Sequence, residues 1–181
     1  EWKDAPVEKM NNHEYWSAWA VMASAVVLDR RDLFDWSLAQ LRIAARQIDG
    51  DGYLPNEMAR DTRALFYHNY ALTPLVMMAA FARANEVPLE ADVEPALRRL
   101  AGRVLSGADD PRGFEKKAGK KQETRDLAKR SALAWLEPYC WSFRCEAALQ
   151  QRLAAQRPLK SYRVGGNVTE LFATPPPPKV R

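Results

Sequence analysis

Asn11-Asn12-His13-Glu14-Tyr15-Trp16-Ser17-Ala18-Trp19-Ala20-Val21-Met22-Ala23-Ser24-Ala25-Val26-Val27 is the stretch whose reading decides the fold. Asn11 followed three positions later by Glu14 spells a capping box, the reciprocal side-chain cap that opens many helices. Tyr15, Trp19, Met22 and Val26 then share one helical stripe, and Trp16, Ala20, Ala23 and Val27 share the next. Two adjacent stripes make a wide apolar face, so the spacing predicts a well-buried helix over 13–28. The same period continues outward. Over 32–48, Phe34, Leu38, Leu41, Ala45 and Ile48 line one side, with Arg42, Arg46 and Gln47 on the other. Asp49-Gly50-Asp51-Gly52, then Leu54-Pro55, is a turn. Helical character resumes over 57–71, and Thr73-Pro74 reads as an N-cap with proline at the first position of a new helix over 74–84. Val93, Leu97, Leu100 and Val104 mark a helix over 91–105. The polar stretch 106–122, with Gly107, Pro111, Gly113 and Gly119, is expected to be a loop, and 124–148 a helix interrupted at Pro138. Only Ser161 to Phe172, around Gly165-Gly166, has room for extended chain. The expectation is an all-α domain of antiparallel helical hairpins over 1–174, with a proline-rich tail, 175–181, that has no core role.

Composition bounds the function. Of 181 residues, 47% are hydrophobic and 28% charged, which excludes a mainly disordered chain. No apolar run approaches membrane-spanning length. Lys plus Arg number 27 against 23 acidic residues, a net charge of +4. That is a mild bias toward anionic partners and far short of a nucleic-acid signature. Six Trp, six Tyr and six Phe are notable, because aromatic faces pack cores and also stack on sugar rings. The Asp49–Gly52 run fails a calcium loop: its fifth, sixth and twelfth positions are Tyr53, Leu54 and Arg60. Cys140 and Cys145 lack zinc-site spacing, and the two histidines are far apart in the chain. A Cys140–Cys145 disulfide requires the helix to end between them; otherwise they are two buried thiols.

The residues with chemical promise are Asn12 and His13, at a helix start, and Asn56-Glu57-x2-Arg60-x6-Tyr67-His68-Asn69-Tyr70. On one helix, Arg60 and Tyr67 would share a face nearly two turns apart. An amide, an imidazole, a guanidinium and a phenol suit elimination across C4–C5 of a uronic acid. Asn and Arg neutralise the carboxylate beside the departing proton and stabilise the enolate-like intermediate. A cation beside a phenol favours phenolate, which can take the C5 proton; Tyr can return it to the leaving oxygen and His can assist. Paired carboxylates at hydrolase spacing are not evident. By spacing alone, such residues are more usually caps and packing pairs in a non-catalytic helix bundle.

At these residues the chain resembles the alginate lyases of polysaccharide lyase family 5, the poly(β-D-mannuronate) lyases. The resemblance rests on Asn11-Asn12-His13-x-Tyr15-Trp16, Arg31-Asp32-Leu33-Phe34-Asp35-Trp36, Gly52-Tyr53-Leu54-Pro55-Asn56-Glu57, Arg63-Ala64-Leu65, Tyr67-His68-Asn69-Tyr70-Ala71-Leu72 and Trp135-Leu136-Glu137-Pro138-Tyr139-Cys140. It runs in order from about Asn11 to Phe172. It implies a partial α/α toroid, a ring of helical hairpins around a cleft. It also implies Asn12 and Arg60 as carboxylate neutralisers, Tyr67 as acid and base, and His13 in support. His68 and Arg163 are implied as substrate contacts. The implied substrate is alginate, an anionic polysaccharide, with no cofactor or metal, acting in the periplasm. The chain starts at Glu1 rather than Met, so either a leader has been removed or it is an interior piece of something longer; the resemblance implies the C-terminal half of the family domain, with exposed inner helix faces and a weak or inactive lyase as the expected consequence. The rival expectations are a toroid lyase for another acidic polysaccharide and a polymer-binding domain without catalysis.

Overall fold

The computed structural model describes residues 7–173. Helix α1 spans Asn12–Val27, and its capping box is formed: the Asn11 side chain accepts from the His13 N–H at 3.1 Å, and Glu14 Oε2 accepts from the Asn11 N–H at 2.8 Å. A short turn leads into α2, Arg31–Gln47. Then come α3, Pro55–Met58, and α4, Ala64–Ala84. Helices α5, Val93–Asp109, and α6, Arg112–Ala118, follow. After them come α7, Leu136–Phe143, and α8, Ala147–Gln156. A two-stranded hairpin pairs β1, Lys160–Ser161, antiparallel to β2, Gly166–Asn167, and leads into α9, Val168–Ala173.

Helix α4 lies between α1 and α7, while α2 packs on α1, α4 and α5. Short connections make α1/α2 and α4/α5 hairpins, the expected all-α pattern. Helix α4 is the axis of the molecule, buried along most of its length from Ala64 through Ala82. One main core joins Tyr15, Trp19, Met22, Leu41, Leu72, Leu75, Leu97, Leu100, Trp135 and Leu159. A smaller one joins Tyr53, Ala64, Leu65 and Phe114 under the start of α4.

Several boundaries differ from expectation, each for a physical reason. Residues 64–84 form one helix, not two meeting at Pro74. Pro74 is fully inside the core, and packing on all sides carries the helix through a residue that lacks an N–H. Conversely, 57–63 is not one helix with Tyr67. Asp61 adopts φ of 51°, so the chain breaks into α3 and a 3-10 turn, Asp61–Arg63, before α4 begins. The expected 106–122 loop is largely helical. Gly107 lies within α5 because a Cβ there would sit 2.7 Å from Leu65 Cδ1 and from the Phe114 ring, so its role is close approach rather than a turn. Pro138 does not interrupt a helix either. It stands in the first turn of α7, where a missing N–H costs nothing. Helix α7 ends at Phe143 with Arg144 left-handed, and the Cys140–Cys145 disulfide is formed, its Cα atoms 4.7 Å apart. The proline tail lies outside the described residues.

The second stripe of α1 is not covered. Ala20 is exposed, Trp16 and Ala23 are half-buried, and Val27 is 84% exposed. With Trp19, Tyr70, Met77, Phe81, Val164 and Phe172, the Trp16, Ala20 and Ala23 part of this stripe lines an open apolar groove of about 770 Å³.

Candidate active site

The site is built at the N-terminal ends of α1 and α4. Asp49 folds the turn that leads to it: its Oδ1 accepts from the N–H groups of Asp51 and Tyr53, at 3.0 and 2.8 Å. Gly52 is required there, with φ of 84° and a would-be Cβ only 2.5 Å from the Arg99 carbonyl oxygen. The Leu54 N–H then donates to His68 Nε2 at 2.8 Å, fastening the segment to α4. The next residue, Pro55, opens α3, which carries Glu57 inward.

Glu57 has a side chain with no exposed surface. Its Oε1 accepts from the Asn12 backbone N–H at 2.6 Å and from Asn12 Nδ2 at 3.0 Å, while Oε2 faces Asn12 Nδ2 at 3.1 Å and Arg60 Nε at 3.5 Å. The Arg60 guanidinium lies 4.9 Å from the Tyr67 ring centroid, and that of Arg63 5.3 Å from the same ring. One polar chain therefore joins Asn12, Glu57, Arg60 and Tyr67 across three separate elements. Arg60 and Tyr67 meet despite the helix break, because the turn at Asp61 folds Arg60 back over the ring. His13 follows Asn12 on the first turn of α1 and is exposed. Asn12 is buried; Tyr67 is half-buried.

Burial sets the electrostatics. It pushes the Glu57 carboxyl up, against the Asn12 hydrogen bonds and the Arg60 charge, which pull it down. It also pushes the Tyr15 phenol up, aided by Glu57 and Glu14; that hydroxyl donates to Gln47 Oε1 at 2.7 Å.

His68 is placed differently from the substrate contact that the resemblance implied. It has no exposed surface, Nε2 accepts from Leu54, and Nδ1 donates to the Ala64 carbonyl at 2.7 Å. Both nitrogens are engaged, and burial lowers its pKa to about 4. It is a neutral structural imidazole between Tyr53 and Phe114, with no face toward a ligand. Arg163 is in the open. Its guanidinium lies 5.4 Å from the Tyr70 ring and 4.7 Å from that of Tyr162. With Trp16, Tyr70, Lys129, Lys160 and Tyr162 it lines a cleft of about 290 Å³ beside Phe66 and Asn69. Trp16 packs on Tyr70 at 5.0 Å, and its buried indole N–H has no hydrogen-bond partner among the described residues. Glu57 is the residue that sequence reasoning passed over. Its signal was an acid three positions before Arg60, read as motif rather than as a pair.

Comparison with known proteins gives this geometry a family. The alginate lyase family profile matches residues 1–114. An alginate lyase of Azotobacter chroococcum is 51% identical over 95% of this chain and 46% of its own length. One from Pseudomonas aeruginosa is 50% identical over 96% of this chain and 47% of its own. Among solved structures, alginate lyase A1-III from Sphingomonas species A1 superposes with a TM-score of 0.78 at 30% identity, over 92% of this chain and 47% of that one. A tyrosine-to-phenylalanine variant of A1-III, complexed with a tetrasaccharide, superposes with a TM-score of 0.77 at 27% identity, over 93% of this chain and 48% of that one. The chain thus spans about half the length of the relatives it matches, and its hairpins are part of an α/α toroid. It belongs to the alginate lyase family.

Proposed function

We propose that this chain carries the reacting site of an alginate lyase that cleaves mannuronate-rich alginate by β-elimination, leaving a 4,5-unsaturated uronate at the new non-reducing end. The observation that carries the reading is the joining of Asn12, Arg60 and Tyr67 into one polar chain, with a cationic guanidinium over the phenol. Asn12 and Arg60 neutralise the uronate carboxylate, which makes the C5 proton removable and stabilises the enolate-like intermediate. Tyr67, as phenolate, takes the C5 proton. The electron pair forms the C4–C5 double bond, the C4–O bond breaks, and Tyr67 returns the proton to the leaving oxygen. In mannuronate that hydrogen and that oxygen lie on one face, so a single phenol serves both ends of a syn elimination. His13, exposed beside Asn12, supports the proton transfer. Arg163 with the aromatic floor of Tyr70 and Trp16 suits a neighbouring uronate, pairing charge with an apolar sugar face. The A1-III variant bound to a tetrasaccharide supports an oligosaccharide ligand for the relative. A periplasmic location is favoured by the Cys140–Cys145 disulfide, a bond that persists in oxidising compartments.

The test is ultraviolet absorbance of the unsaturated product on polymannuronate, polyguluronate and glucuronan. Fastest release from polymannuronate is expected. Release from glucuronan alone would move the substrate to another acidic polysaccharide.

A further inference from the structure

We propose that Glu57 is the positioning residue of this site: its buried carboxylate fixes the Asn12 carboxamide and the Arg60 guanidinium in the one arrangement that can receive a substrate carboxylate. The inference rests on the lyase reading of these residues and adds to it a group with no direct part in the chemistry. A carboxylate has only acceptors, so its partners must turn donors toward it. Glu57 thereby decides which way the Asn12 amide faces: Nδ2 points toward Glu57, at 3.0 and 3.1 Å from its two oxygens, and its second hydrogen, held only by a long 3.5 Å contact to Asn11 Oδ1, is the donor left for a substrate carboxylate. The Asn12 backbone N–H, at 2.6 Å, locks the first turn of α1 to the same oxygen. On its other side the carboxylate lies 3.5 Å from Arg60 Nε, a charge contact in which that buried N–H has no hydrogen-bond partner among the described residues, and the guanidinium covers the Tyr67 ring.

Packing alone does not call for an acid here. The Glu57 side chain is wholly buried, and an unpaired ion in that setting is costly, so the group is tolerable only while both partners stay in place. The dependence is mutual: a substrate carboxylate that reaches Asn12 and Arg60 finds them already oriented, with no reorganisation left for the transition state. The isosteric amide cannot reproduce this. In Glu57→Gln one oxygen still accepts from Asn12, but the new NH2 takes the place of Oε2. There it confronts Asn12 Nδ2 and Arg60 Nε, two donors against a donor. Arg60 is then released from its seat over Tyr67.

The test compares the parent enzyme, Glu57→Gln, Glu57→Asp, Arg60→Ala, the double variant Glu57→Gln/Arg60→Ala, and Tyr67→Phe as control. The readouts are kcat and KM on polymannuronate, with circular dichroism and thermal midpoint for folding. Misplacing neutralising groups by a fraction of an ångström to 1 Å costs about 10- to 100-fold. That loss is expected in kcat for Glu57→Gln, with KM within a few-fold and the fold retained. Glu57→Asp, which keeps the charge, is expected to recover part of the rate. In the Arg60→Ala background the added loss from Glu57→Gln is expected to shrink to a few-fold, because coupled residues are not additive. Parent-like kcat in Glu57→Gln, or an equal loss in both backgrounds, overturns the proposal. If Glu57→Gln does not fold, Glu57→Asp carries the test, and an unchanged kcat there overturns it equally. All variants are made in this chain joined to the part of a relative that it does not match; failure of that joined parent to eliminate, or a Tyr67→Phe variant at parental rate, instead sinks the lyase reading itself. An inactive Tyr67→Phe beside a parent-like Glu57→Gln sinks the positioning role alone.

Discussion

Tyrosine and phenylalanine differ by one oxygen, and at position 67 that oxygen is the proposed carrier of the proton. Tyr67→Phe keeps the ring that Arg60, Phe66 and Tyr70 pack against, so the fold and ground-state binding are expected to survive. The rate of unsaturated product formation is expected to fall about 10²- to 10⁴-fold, the usual worth of general acid–base catalysis. A rate within a few-fold of the parent would remove Tyr67 from the chemistry. His68 makes a second residue-scale prediction, through stability rather than rate. Folded, its imidazole protonates near pH 4; unfolded, near the ordinary 6.5. Between those values the unfolded chain binds more protons, so stability falls as pH falls through that window. The difference amounts to about 2 kcal/mol between pH 7 and pH 4.5. Unfolding free energies from urea titration at the two pH values are expected to converge by that amount in His68→Gln relative to the parent. An unchanged pH slope would show that the imidazole is not held neutral.

At the scale of elements, Gly107 sets two effects against each other. Alanine is favoured over glycine in a helix interior by about 1 kcal/mol. Yet its methyl group would meet Leu65 and Phe114, both essentially inaccessible, at 2.7 Å. Overpacking of that kind costs about 1–3 kcal/mol, and because both neighbours are buried the clash is expected to win. Gly107→Ala is expected to lower the denaturant midpoint; a rise would mean that α5 slides away from α4 at little cost. The disulfide between Cys140 and Cys145 closes a short loop at the end of α7. On chain-entropy grounds its removal in Cys140→Ser/Cys145→Ser is expected to cost about 2 kcal/mol. Comparison with and without reductant checks it: the parent is expected to fall to the variant's midpoint when reduced. These elements also show what could be read in the chain beforehand. Helices α1, α2 and the start of α5 announce themselves by stripe and cap, because each is amphipathic over several turns. Helix α4 does not, because a segment buried on all sides loses its periodicity and its proline reads as a boundary. Gly107 reads as a loop residue for the same reason: close approach between elements leaves no local trace. Asn12, Arg60 and Tyr67 were legible through their chemistry and resemblance. Glu57 and the true place of His68 were not, since burial is a property of the assembled fold.

Across the whole molecule, what remains open is the surface that the chain leaves uncovered. The apolar groove along the second stripe of α1 and the cleft beside Arg163 share Trp16, Tyr70, Tyr162 and Arg163, and together they form one wall open to solvent. The segment 112–130 adds eight Lys or Arg against three acids. Gln122 holds it to the start of α4 by accepting from the Leu65 N–H at 2.9 Å, and Lys116, Lys120, Lys121 and Arg125 on it are exposed. Alginate binding through these charges is expected to weaken with salt, because the Debye length shrinks from about 8 Å at 0.15 M to about 3 Å at 1 M. Catalysis asks for more than attraction. In the proposed reaction C5–H must face Tyr67 while the carboxylate meets Asn12 and Arg60, and positioning of this kind supplies about 7–11 kcal/mol in favourable cases. An open wall orders few neighbouring sugars and admits water, which raises the local dielectric and weakens each charge contact. The relatives are about twice as long as this chain, so they have further structure with which to close such a wall. Residues 1–181 alone are therefore expected to bind alginate loosely and eliminate slowly. Joined to the part of a relative that they do not match, they are expected to eliminate at least 100-fold faster, a factor of about 3 kcal/mol in the barrier and well within what positioning provides. Equal rates on polymannuronate for the two proteins would show that the exposed wall is already a complete site, and that the groove beside it has some other use.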